Sequence, residues 1–112
     1  MTNAFLAHLH DLLDDAGVVT TRAMFGGHGV YLDGLIVGIV IDEVLYLKTD
    51  ATTRARFGAA GSAPFVYTGQ KKPTETSYWS APDGALESAQ AMQPWVQLAR
   101  AAALRKPAKR RR

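Results

Sequence analysis

The residues best suited to chemistry gather in the stretch MFGGHGVYLDG, Met24 to Gly34, where four glycines surround one histidine. Glycine-rich loops hold phosphates when they run into a helix whose free amides and dipole face the anion. Here Gly27-His28-Gly29 runs instead into Val30 and Tyr31, which read as strand, and Leu32 stands where a dinucleotide fingerprint has its last glycine. No Gly-Lys-Ser/Thr follows either, so the phosphate reading fails on context. The segment reads as a tight β-hairpin, its glycines supplying positive φ and close backbone approach. That places His28 at the hairpin tip, an exposed position on a rigid scaffold and so a candidate for ligand or partner binding. It has no neighbouring carboxylate or second histidine with which to build a catalytic constellation.

The other reactive side chains are weaker. His8 and His10 diverge by about 200° on a helix and cannot share a metal as an i, i+4 pair. Ser62, Ser77, Ser80 and Ser88 lie in no nucleophile motif. Asp14-Asp15 and Asp42-Glu43 suit capping and turns better than acid–base work. Tyr67, Tyr78, Trp79 and Trp95 could stack on bases, with Lys71-Lys72 meeting phosphates, although strand aromatics are more commonly core or cross-strand pairs. With no cysteine in the chain, disulfides, thiolate–metal sites and thiol catalysis are excluded. No enzyme activity, metal or cofactor is expected.

These residues need a scaffold, and 112 residues suffice for one domain with one core. No apolar run approaches the roughly 18–20 residues that span a bilayer. The start MTNAFLAHLHDLLDD lacks a basic n-region and a cleavage site, so a cytoplasmic protein is expected. The net charge is +3, but six of the thirteen basic residues are Arg105, Lys106, Lys109, Arg110, Arg111 and Arg112. Positions 1–104 therefore carry −3, with seven basic residues against ten acidic ones. The organisation expected is a domain over 1–104 and a basic, disordered tail over 105–112, which could attract phosphates.

Periodicity predicts a helix from Asn3 to Ala16, its apolar face formed by Phe5, Leu6, Leu9, Leu12, Leu13 and Ala16. Strands follow at Val18–Phe25, Gly29–Leu32, Leu35–Ile41 and Val44–Lys48. Asp33-Gly34 marks a type I′ turn, and Asp42-Glu43 makes a second short connection; such links force an antiparallel meander. Asp50 caps a short helix from Ala51 to about Ala59. Pro64–Tyr67 and Glu75–Trp79 form a strand pair. A final helical stretch runs to about Leu104, kinked or restarted at Pro94, with Trp95, Leu98, Ala99 and Ala102 as its buried stripe. The predicted class is α+β in two layers, an antiparallel sheet with N-terminal, middle and C-terminal helices packed on it.

The ordered motifs RAMFGGHGVYLDG, LIVGIVIDEVLYLKTD, PFVY, TSYWSAPDGALE and WVQLARAAA resemble the N-terminal domain of the TfoX/Sxy family, over about Phe5 to Leu104. The resemblance implies a secretion-chaperone-like α+β fold and a link to DNA uptake, since longer members act as co-regulators of competence-gene transcription. Arg22, Met24, Phe25, Gly26, Gly27, Gly29, Tyr31, Gly34, Leu45, Tyr46, Lys48, Phe65, Tyr78, Pro82 and Trp95 stand where the family pattern stands. Of these, Arg22 and Lys48 are the polar functional candidates. His28 replaces what is more often an aromatic, and KPAKRRR stands where longer members carry a second helical domain. The expectation is a non-enzymatic regulatory module with a protein partner, DNA reached through the tail, no membrane contact, and a homodimer allowed. The competing expectation is a small-ligand-binding domain with a pocket near Arg22, Tyr31 and Lys48.

Overall fold

The computed structural model describes residues 3–24, 27–67 and 74–105. Helix α1 spans Asn3–Leu13. Leu9, Leu12 and Leu13 recur at helical spacing and are buried, while His8 and Asp11 face solvent. The turn that follows, Asp14–Ala16, is 3-10 rather than α-helical.

The chain then forms β1 (Val19–Met24), β2 (Gly27–Leu32), β3 (Leu35–Ile41) and β4 (Val44–Lys48), an antiparallel meander. Asp33 and Gly34 have φ of 51° and 84°, both positive as a type I′ turn requires. Asp42 and Glu43, at 52° and 62°, make the second turn in the same left-handed region without glycine. Asp50 then accepts hydrogen bonds on Oδ1 from the Thr52 and Thr53 amides, at 3.0 and 3.1 Å, and leads into α2 (Arg54–Ala59). The remaining elements are β5 (Pro64–Tyr67), β6 (Thr74–Ser80), a 3-10 turn at Asp83–Glu87 and α3 (Ala89–Leu104). Ser88 caps α3, its Oγ accepting from the Ala91 amide at 3.0 Å.

The sheet order is β1-β2-β3-β4-β6-β5, with antiparallel pairing throughout. Residues from all three helices (Leu9, Leu13, Phe57, Met92, Val96 and Ala99 among them) share one core cluster with Val30, Leu32, Val40, Leu45 and Leu47. The three helices therefore cover the same face of the sheet, giving two layers. Phe57 is fully buried there and packs edge-on against Trp95, with ring centroids 5.2 Å apart. Burying such a ring contributes roughly 1.5–3 kcal/mol.

The sequence reading is corrected in the glycine segment. Gly27-His28-Gly29 is not a hairpin tip but the first half of β2, an interior strand, where His28 faces Ala23 on β1 and Val40 on β3. Neither Gly27 nor Gly29 has positive φ. What Gly27 supplies is room: a Cβ there would overlap the Val40 carbonyl oxygen. Glycine serves turns and close approaches equally, and here the second use applies. The reversal between the paired Met24 and Gly27 falls on residues 25–26, outside the described residues.

Candidate functional site

Side chains alternate across a strand, so covering one face of the sheet leaves the other to a second set of residues. Register defines that set. Arg22 pairs with Gly29, Gly29 with Ile39, Ile39 with Tyr46 and Tyr46 with Ser80, one row running across five strands. Two residues along from that row, Tyr31 pairs with Ile36 and Lys48 with Tyr78. Ile39 confirms the division: it is 7% exposed yet lies outside the helix-side core.

This second face is aromatic and cationic. Tyr46 and Phe65 of β5 form a tilted ring pair, with centroids 5.0 Å apart and planes inclined by 56°. Thr76 holds β5 against β6, its hydroxyl donating to the Phe65 carbonyl at 2.9 Å. Opposite Arg22, Gly29 offers no side chain, and the guanidinium carbon lies 5.9 Å from the Tyr31 ring centre. The Lys48 ammonium sits 5.1 Å from the Tyr78 ring centre and donates to Ser77 Oγ at 3.0 Å. Both are cation–π distances. Burial, with Tyr31 adding to it, raises the Tyr78 hydroxyl above its usual value, so Tyr78 stays a neutral phenol at physiological pH.

Nine of the ten carboxylates lie away from the strands, Glu75 on β6 being the tenth. Asp11, Asp14, Asp15, Asp83 and Glu87 are on α1 and the 3-10 turns, Asp33, Asp42 and Glu43 are in hairpin turns, and Asp50 precedes α2. The ion pairs among the described residues use Arg100 with Asp33 (3.3 Å) and Arg105 with Asp50 (2.8 Å). Neither Arg22 nor Lys48 has a carboxylate partner among the described residues.

Of the candidates chosen from sequence, Arg22, Tyr31 and Lys48 therefore share one face. His28 does not: in register with Val40, it points to the helix side, half-buried, its Nδ1 buried and without a partner among the described residues. Arg105 is not part of a free tail. Its guanidinium forms a two-point pair with Asp50, Nε to Oδ2 at 2.8 Å and Nη2 to Oδ1 at 3.1 Å. Lys106, Lys109, Arg110, Arg111 and Arg112 lie outside the described residues, as do Lys71 and Lys72. Trp79 and Trp95 pack against the core, which separates them from Tyr78. Tyr46 and Phe65 carry no local signal as site residues, and Tyr78, a stacking candidate by sequence, shares their face. The alternation in TSYWS already put Tyr78 and Trp79 on opposite faces, but only the sheet order reveals which face is bare. Among the described residues no group of three or more His, Asp or Glu side chains converges as a metal site. No described helix is long and apolar enough to cross a membrane.

The profile of the TfoX N-terminal domain matches residues 11–103, nearly the whole described body. No curated protein matches the chain.

Proposed function

The chain belongs to the TfoX N-terminal domain family, and from that premise we propose that it is a non-enzymatic regulatory module, a transcriptional co-regulator linked to DNA uptake that acts by binding. One observation carries this reading. The helices are committed to a single face of the sheet, while the other holds Tyr31, Ile36, Tyr46, Phe65 and Tyr78 half-buried beside two cations with no described carboxylate partner. Apolar surface edged by charge is what an interaction site requires.

Deletion and complementation test it. Wild-type protein should restore the lost transcripts and DNA uptake, and a Tyr31→Ala/Lys48→Gln variant should not. Equal rescue by both would remove the sheet face from the function, and an unchanged transcript profile on deletion would remove the regulatory role.

A small-ligand reading is favoured by the same gathering of Arg22, Tyr31 and Lys48. A thermal-shift screen against metabolites separates the two, because a ligand at a hundred times its Kd stabilises a one-site protein by about 2.7 kcal/mol.

A further inference from the structure

The open face also limits what can occupy it. We propose that it is a stacking platform for single-stranded nucleic acid, with phosphates held at Arg22 and Lys48 and bases laid against Tyr31, Tyr46, Phe65 and Tyr78. The assignment rests on the reading of the chain as a binding module and names the occupant.

Charge decides the first part. Arg22 and Lys48 lie over aromatic rings and have no carboxylate among the described residues, whereas nine of the ten acids of the chain lie on helices and turns. A second copy of this chain seated on the same face would set the two cations against themselves. An anionic occupant is complementary.

The rings decide the second part. Tyr31 on β2 and Tyr78 on β6 are three strands apart in the sheet, about 14 Å at the usual strand spacing, with the tilted Tyr46–Phe65 ring pair on the same face. Flat apolar partners in a row, linked by negative charge, describe unpaired bases on their backbone. A duplex keeps its base faces inside the stack, and a broad sheet cannot enter a groove that admits a helix or two strands. An acidic peptide would satisfy the charge and leave the rings without planar partners.

The test is fluorescence anisotropy on the full chain, with labelled oligothymidine and a duplex of equal length at low and moderate salt. Single strand should bind in preference to duplex, and Tyr31→Ala or Tyr78→Ala should weaken it by about 5- to 150-fold each. Tyr31→Phe and Tyr78→Phe should retain affinity, since the ring does the stacking. Arg22→Gln lies on the exposed edge strand, so it tests the face even where Tyr78→Ala fails to fold. Binding that ignores the rings and treats both nucleic acids alike would assign it to the tail and overturn the proposal, as would no binding by the folded chain. Capture of a protein that depends on Tyr31 and Tyr78, without oligonucleotide binding, would overturn this occupant and leave the regulatory reading intact. Single-strand binding through the rings with no transcript change on deletion would do the reverse.

Discussion

Gly27→Ala adds one methyl group and should be among the most damaging small changes available to this chain. The new Cβ would overlap the carbonyl oxygen of Val40 and press on the Ile41 side chain at 3.2 Å, so β2 and β3 must separate there. Overpacking of this kind costs typically 1–3 kcal/mol, and loosening the His28–Val40 ladder adds about 1 kcal/mol, for a total of about 2–4 kcal/mol. In a domain of this size that lowers Tm by about 10–25 °C. Two glycines calibrate the measurement. Gly84 has open space and no positive φ, so Gly84→Ala should stay within about 0.5 kcal/mol. Gly34 also has open space but φ of 84°, so Gly34→Ala should cost about 1–2 kcal/mol from backbone strain. Gly27→Asn separates the two uses of glycine. Asparagine tolerates left-handed backbone, so it would rescue a turn, whereas at a close approach it is no better than alanine. Urea denaturation of the four variants gives the comparison. Gly27→Ala as mild as Gly84→Ala, or Gly27→Asn clearly milder than Gly27→Ala, would refute the close approach.

His28→Leu should hold or raise stability, by up to about 1 kcal/mol, because it removes a buried unpaired nitrogen and leaves an apolar side chain beside Val40; a loss above that in urea titration would mean that Nδ1 has a partner. Asp33 is held below its usual 3.8 chiefly by the Val18 amide on Oδ1, assisted by Arg100. A depressed carboxylate stabilises the fold above its unfolded value and loses that contribution as pH falls from about 3.8 through the folded value. Asp33→Asn should therefore flatten the acid limb of the stability–pH curve relative to wild type, and parallel acid limbs would contradict this. Cutting the chain after Arg105 preserves the Asp50 pair and should leave the melting curve unchanged. It should also reduce the salt slope of duplex binding by about 4.5, for five lost cations at roughly 0.9 per phosphate contact; an unaltered slope would place duplex contacts on the body.

Much of the scaffold was legible because certain residues permit little else. Asp33-Gly34 between apolar runs specifies a left-handed two-residue turn, and the heptad-like spacing of Trp95, Leu98, Ala99 and Ala102 specifies a buried helix face. The glycine segment was not legible, since Gly27 fits a turn and a crowded strand equally well on composition alone. Arg105 read as tail because only the fold brings Asp50 to it across the chain. The candidate site was half visible. Arg22, Tyr31 and Lys48 stand out through the family resemblance as polar or aromatic residues on strands, and alternation places them on faces. The bare face emerges only once β6 is known to lie against β4, a long-range pairing with no local signal. Ser88 carried a signal that could have been used: a serine just before a helical run is a standard cap.

The strand order also sets a sequence of events in folding. β1 to β4 pair with their chain neighbours through short turns, so loop closure costs them little and they can assemble early. β6 must instead return past α2 and β5 to reach β4, a slower closure. The face that carries Tyr31 and Tyr46 on one side of this seam and Phe65 and Tyr78 on the other is thus finished last. An occupant bridging the seam would latch the β5–β6 ribbon to the meander. Amide exchange in that ribbon should then slow when the face is filled, while the meander, already closed, should change little.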